Sequence, residues 1–207
     1  MKKTTIKKFN KFDNLEKKIM VVDQAINDFI DLSFFTELEY FYCGYNKISD
    51  IIGSNNKIKK IYCQNNNITK LNLLPECLEE LVCSTNNIKK LTRLPEKLNK
   101  LDCSYNKIVE LNGLPCCLKF LNCSYNKIIS LENLPNLLTY LNCSHNNIKF
   151  LDFLPCSLTY LDCSFNKITT LDNLPCFLTN LDCSFNQIYK MNNLPSTIIH
   201  LEKMNNL

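Results

Sequence analysis

The stretch LNCSYNKIISLENLPNLLTY, residues 121–140, is followed at once by LNCSHNNIKFLDFLPCSLTY, residues 141–160, which repeats most of it. The same 20-residue spacing runs without insertion from Leu78 to Leu178, and eight full units extend from Leu38 to Thr197 before a final half unit. The units that begin at Leu78 through Leu178 closely follow the pattern L-x-x-L-x-C-S-x-N-x-I-x-x-L-x-x-L-P-x-x. A fixed period of this length predicts a protein built of stacked, nearly identical coils.

Within a unit, the residues Leu101-Asp102-Cys103-Ser104 alternate between apolar and polar, which predicts a short, half-buried strand with Leu101 and Cys103 facing inward. One unit cannot bury its apolar face alone, so stacking should produce a parallel sheet, with an irregular chain on the other side. The asparagine of each unit can both donate and accept hydrogen bonds where the strand ends. We interpret this asparagine column as part of the scaffold.

This unit is the leucine-rich repeat pattern, L-x-x-L-x-L-x-x-N-x-L, with cysteine in the third apolar position. The ending L-x-x-L-P resembles the short repeats of IpaH- and YopM-type bacterial effectors, and the Asn-, Lys- and Ile-rich sequence also resembles leucine-rich repeat proteins of giant viruses that infect amoebae. The resemblance covers residues 38–207 and implies an α/β-type horseshoe solenoid with a parallel sheet on its concave face. IpaH-type effectors are ubiquitin ligases through a separate C-terminal domain, and we do not expect that activity because the sequence ends within the repeats.

The first 37 residues carry a different pattern. Apolar residues spaced by three or four positions predict an amphipathic helix over about 14–31. Those residues are Phe12, Leu15, Ile19, Val22, Ile26 and Phe29. Asp13 followed by Glu16 is typical of a helix N-terminus. We therefore predict two parts, a basic tail with a helical cap over 1–37 and the repeat solenoid over 38–207.

The charge distribution argues against a nucleic-acid partner. The net charge is +4, but the first 20 residues hold seven lysines and two acids, which gives +5, so the remaining chain carries −1. A nucleic-acid binder is expected to show a basic face on its folded body. The sequence also lacks the run of about 20 apolar residues that a membrane helix needs, and it predicts a soluble protein of the cytoplasm, the cytoplasm of a host cell included.

Cysteine is unusually frequent, with 13 residues. Eight form one column, Cys43, Cys63, Cys83, Cys103, Cys123, Cys143, Cys163 and Cys183. We interpret this column as a small apolar filler in a reducing compartment, and the alternative is a metal or redox ladder. The other five, among them the adjacent pair Cys116-Cys117, fall at the convex edge, where they are more accessible to oxidation. We expect no metal and no cofactor.

We expect no catalysis either. We do not interpret His145 and Cys143, which lie two positions apart in the sequence, as a nucleophile pair. Asp162 and Asp182 lie on neighbouring strands, about 5 Å apart at the backbone, and we interpret them as solvated acids because nothing around them suggests an apolar pocket.

The residues that differ between units lie at outward strand positions, where recognition is encoded in repeat proteins. One band is aromatic, a second is polar to acidic, and a third combines aromatic residues with a histidine. These candidate partner-binding residues are, in that order, Phe120, Tyr140 and Tyr160; Asn142, Asp162 and Asp182; and Tyr105, Tyr125, His145 and Phe165. For the third band, which runs on to Phe185, the alternative is packing against the coil edge.

The sequence thus predicts a non-catalytic module that binds a protein partner through the concave sheet. One alternative is an adaptor or effector that recruits substrates to host ubiquitin or signalling machinery, and another is the cysteine-ladder metal or redox protein. We expect a monomer, with a dimer through the C-terminal edge as the alternative. A lysine replaces the column cysteine there, at Lys203.

Overall fold

The computed structural model describes residues 12–53, 56–71, 73–191 and 194–206. The predicted lysine-rich tail over 2–11 lies outside the described residues. The strands are β1 (Lys18–Met20), β2 (Ile30–Asp31), β3 (Tyr40–Tyr42), β4 (Ile51–Ile52), β5 (Lys60–Tyr62), β6 (Glu80–Val82), β7 (Lys100–Asp102), β8 (Phe120–Asn122), β9 (Tyr140–Asn142), β10 (Tyr160–Asp162), β11 (Asn180–Asp182) and β12 (His200–Glu202).

Ten strands form one parallel sheet in chain order, while β2 and β4 pair with each other in a second, two-stranded sheet. In the repeats the register advances by one unit per strand, so that Leu141 lies beside Leu161 and Tyr140 beside Tyr160. The predicted parallel-sheet solenoid is therefore confirmed. The return segments are turns and extended chain, and none of the described residues forms an α-helix. The α/β-type label therefore does not apply to the described chain.

Alternation within each strand decides which side chains enter the core. Leu141 and Cys143 are fully buried, whereas Tyr140 and Asn142 on the other face are partly exposed. Most return segments add a buried isoleucine and leucine, such as Ile148 and Leu151. The result is one continuous core cluster that runs through all coils, as expected when no single coil can bury its own apolar face.

The predicted N-terminal helical cap is wrong, because the chain over 18–31 forms a further coil. Lys18–Met20 pairs with β3, and Ile19 and Val21 are both buried. Val22, which the helix would have placed inward, is 37% exposed. Asp23 and Ala25 have positive φ angles of 53° and 50°, which no right-handed helix accommodates. Of the six apolar residues in the helical series, only Ile19 and Ile26 are buried, so the series does not form one buried face.

The asparagine column satisfies the backbone where the strands end, which confirms its role in the scaffold. Asn146 donates from Nδ2 to the carbonyl oxygens of Cys123, Cys143 and Ser144 at 3.0–3.1 Å. Its Oδ1 accepts the backbone N–H of Ile128 at 2.9 Å. One side chain therefore links two neighbouring coils, and the pattern recurs at Asn66, Asn86, Asn106, Asn126, Asn166 and Asn186.

The cysteine column lies in the core beside the asparagine column. All eight of these thiols are buried, and several donate to a carbonyl of the next strand, as Cys163 Sγ does to Asp182 at 3.3 Å. Burial raises the pKa of Cys143 well above its ordinary value, and the neighbouring Cys123 and Asp162 add to this. The column therefore holds neutral thiols that fill space between the leucine columns.

Candidate functional site

The outward side of strands β8 to β11, called the sheet face below, carries the first predicted aromatic band. The ring centroids of Phe120 and Tyr140 lie 4.3 Å apart with an interplanar angle of 10°, and those of Tyr140 and Tyr160 lie 4.3 Å apart at 6°. Lys100 Nζ lies 5.5 Å from the centre of the Phe120 ring. Stacking fixes the rings of this band in place, so that a partner meets a pre-ordered apolar surface.

The polar-to-acidic band runs beside these rings on the same face. Asp162 Oδ1 accepts the backbone N–H of Ser164 at 3.1 Å and its hydroxyl at 2.7 Å, and Asn142 holds Ser144 in the same way. This interaction explains the serine column and fixes the orientation of each acid. Asp162 and Asp182 lie side by side in the register, and Glu202 follows on the next strand.

These acids lack a counter-charge within the described residues, since every ion pair found there joins a lysine to Glu37, Glu39 or Glu80. Three adjacent carboxylates therefore form an acidic stripe over β10 to β12. A stripe of one sign attracts groups of the opposite sign and sets the orientation of an incoming partner.

The second aromatic band forms a continuous ladder at the end of the strands. Successive centroids among Tyr105, Tyr125, His145, Phe165 and Phe185 lie 4.0, 3.9, 4.0 and 4.2 Å apart. All five have positive φ angles between 51° and 55°, a conformation that costs non-glycine residues about 1 kcal/mol or more. The rings cover one another's faces and leave their edges exposed, with Tyr105 at 50% and Phe185 at 39%. Packing thus explains the stacking, while a binding role for this ladder stays a prediction.

Burial favours the neutral forms of Tyr160 and His145 near pH 7. Burial raises the pKa of Tyr160 to about 12, and Tyr140 and Asp162 contribute to the rise. Burial lowers the pKa of His145, against an opposing effect of Asp162. The sheet face therefore presents neutral aromatic rings beside the acidic stripe.

Sequence reasoning missed a charged cluster on the outward side of strands β5 to β7, next to the sheet face. Glu80 is buried and lies 3.0 Å from Lys60 Nζ and 2.8 Å from Lys100 Nζ. Burial alone would raise the pKa of Glu80, but hydrogen bonds from Lys100, Lys60 and Tyr62 outweigh it and lower the pKa to about 2. The in-register order Lys60, Glu80, Lys100 was visible in the sequence as a cross-strand charge pattern.

We expect Glu80→Gln to flatten the acid limb of the stability profile. A carboxyl whose folded pKa lies below its unfolded value contributes stability above the unfolded pKa, and this is lost as pH falls toward the folded pKa. For Glu80 that window runs from about pH 4.5 down to about 2. The free energy of unfolding of wild type should exceed that of the variant by about 2 kcal/mol at pH 6. The two values should converge near pH 2. Urea unfolding across this range measures the difference, and parallel curves would contradict the assignment.

A model of leucine-rich repeats in two copies matches residues 137–176. Together with the coil geometry and the 20-residue register, this match decides the nature of the units. The units over residues 137–176 are leucine-rich repeats. A sequence search of curated proteins gave no match.

Solved structures extend the similarity over most of the chain. YopM from Yersinia enterocolitica WA-314 is 26% identical with a TM-score of 0.74, over 92% of this chain and 49% of that one. A Shigella effector leucine-rich repeat domain is 27% identical with a TM-score of 0.59, over 65% and 63%. The functional domain of InlJ from Listeria monocytogenes, whose description names a cysteine ladder, is 26% identical with a TM-score of 0.53, over 91% and 53%.

The predicted similarity to bacterial effector repeats is confirmed, and the resemblance to giant-virus proteins stays a prediction. The chain spans about half the length of the YopM structure that it matches. Among the described residues no helix is long and apolar enough to cross a membrane. The same residues hold no group of three or more His, Cys, Asp or Glu side chains arranged to bind a metal ion.

Proposed function

We propose that this chain is a non-catalytic protein-binding module and that its partner binds on the sheet face. The stacked rings of Tyr140 and Tyr160 beside the uncompensated acids Asp162 and Asp182 are the observation that supports this proposal. Leucine-rich repeat solenoids form extended binding surfaces, and aromatic anchors beside polar groups are typical of the residues that dominate binding energy.

The chemistry of the surface suggests the kind of partner. The ring edges of Tyr140 and Tyr160 offer apolar contact, and their hydroxyls offer hydrogen bonds. The acidic stripe favours a partner that presents lysine or arginine next to an apolar side chain. We propose that Asn142 contributes a neutral hydrogen-bonding position between the rings and the acids.

A second candidate is a role as an effector or adaptor that acts on host proteins. The similarity to YopM and to a Shigella effector repeat domain favours it. All 13 cysteines are free thiols, which fits a reducing compartment such as the cytoplasm of a cell, the host cell included. In this version the sheet face would hold the host protein that is recruited.

A paired capture experiment tests the proposal. The first bait is wild type, and the second is Tyr140→Ala/Tyr160→Ala/Asp162→Asn, in which asparagine keeps the acceptor for Ser164 as Asn142 does for its own serine. The matched control is Phe153→Ala/Phe177→Ala/Asp152→Ala, which removes two exposed rings and one acid away from the sheet face.

We expect a protein that wild type and the control retain and that the sheet-face variant loses by about 100-fold or more in affinity. Added salt should weaken binding to wild type, because it screens the attraction between the acidic stripe and a basic partner. Equal retention by all three baits, each shown to be folded, would place binding elsewhere on the molecule.

A further inference from the structure

The turn at Pro115–Leu118 holds two neighbouring cysteines at its exposed corner. The backbone N–H of Leu118 donates to the carbonyl of Pro115 at 3.1 Å, which closes the turn. Pro115 and Leu118 are buried, whereas Cys116 and Cys117 between them are exposed. Their Sγ atoms lie 4.0 Å apart. The fixed ends therefore hold two accessible thiols side by side on the solvent side of the coil.

The other coils use the same turn with other residues at the corner. The corresponding pairs are Glu76-Cys77, Glu96-Lys97, Asn136-Leu137, Cys156-Ser157, Cys176-Phe177 and Ser196-Thr197. Two cysteines coincide only at 116 and 117, and the eight thiols of the core column are buried. This adjacent pair is thus chemically distinct from the remaining cysteines of the chain.

We propose that Cys116 and Cys117 form a bidentate site for thiophilic electrophiles, namely compounds of trivalent arsenic. The two thiols condense with an arsenoso group, R–As=O, to give R–As(S-Cys)₂ and one water. Two sulfur–arsenic bonds form, the arsenic–oxygen bond breaks, and both thiol protons leave with the oxygen. Arsenic stays trivalent, so the step needs no oxidant or reductant.

Geometry favours this reaction over an internal disulfide. The Cα atoms of adjacent residues are about 3.8 Å apart, whereas unstrained disulfides need about 4.4–6.8 Å. A bridging atom removes that conflict, because it lets the sulfurs stay well beyond bonding distance from each other. The closed turn also pre-organises both thiols, so that the second bond forms at a high effective concentration.

Phenylarsine oxide is the probe, and the binding stoichiometry of the folded chain is measured by intact mass. Wild type should bind one phenylarsenic group that survives an excess of a monothiol and leaves with a dithiol. Cys117→Phe copies the natural corner Cys176-Phe177 and should lower the apparent affinity by about 100-fold or more. The reciprocal Phe177→Cys should create a second site and bind two groups, since Phe177 is exposed and Cys176 already lies beside it.

Two results would overturn the proposal. One is a tightly bound phenylarsenic group that persists in Cys117→Phe. This result would assign the site to Cys156 and Cys176 on neighbouring coils. The other is displacement of the probe from wild type by the monothiol alone, which would show single-thiol binding. Each variant is first compared with wild type by circular dichroism and urea unfolding, so that a loss of fold is not mistaken for a loss of the site.

Discussion

Val21→Asp should destabilise the protein by about 4 kcal/mol, whereas Val22→Asp should change its stability by no more than about 0.5 kcal/mol. Val21 is buried, and its N–H donates to the carbonyl of Tyr42 at 2.8 Å. A carboxylate there has no cation within the described core to pair with it. Val22 points to solvent, where a charge is readily hydrated.

The pair distinguishes a coil from a helix, because the helical interpretation places Val22 inward and Val21 toward solvent. Urea unfolding measures the global effect. Amide exchange at Val21 and Ile19 detects the case in which only the terminal coil opens, as repeat proteins allow. A larger loss of stability in Val22→Asp than in Val21→Asp would contradict the assignment of residues 18–31 to a coil.

Asn146→Ala should lower the free energy of unfolding by about 3 kcal/mol or more. The substitution removes the donor for three carbonyls and the acceptor for the N–H of Ile128. Those backbone groups lie where two coils meet, and a buried polar group left without a partner costs about 1–3 kcal/mol. The exposed Asn136 provides the control, since Asn136→Ala removes the same atoms from a solvated side chain.

Urea unfolding of both variants at the same pH measures the difference. Equal stability of Asn146→Ala and Asn136→Ala would mean that water replaces the hydrogen bonds of Asn146 at no cost in free energy. The asparagine column would then not hold the coils together. Because its partners come from neighbouring coils, we also expect faster amide exchange at Ile128 in Asn146→Ala.

The repeat portion of the fold could be predicted because one pattern is written many times. Alternation at Leu141 and Cys143 defines the buried face of each strand, and the 20-residue period defines the register. The asparagine position follows from the same alignment. Because the same pattern recurs in phase in unit after unit, it does not arise by chance.

The N-terminal coil could not be predicted in this way, because its sequence departs from the unit. Val21 occupies the cysteine position and Gln24 the asparagine position, and Asn46 of the next coil accepts from Gln24 N and Ile26 N. The strand forms because β3 provides a partner for it, and such tertiary context overrides local helical spacing. A single coil without the signature residues carries too little information in its own sequence.

The register of the sheet face was predictable, whereas the charged cluster at Glu80 and the backbone conformation of the aromatic ladder were not predicted. The register brings Tyr140 beside Tyr160 and Asp162 beside Asp182, as the alignment of units predicts. The buried ion cluster at Glu80 needed the same alignment to be applied to charges as well as to rings. The positive φ of the aromatic ladder could not be anticipated, since aromatic residues rarely adopt this conformation.

Site-specific photo-crosslinking tests the central claim most directly. A photoreactive phenylalanine analogue replaces Phe120, whose ring it retains on the sheet face, or, in a second chain, the exposed Phe153 outside it. We predict a crosslinked adduct with the captured partner from position 120 and none from position 153. An adduct that forms only from position 153 would contradict a binding site on the sheet face.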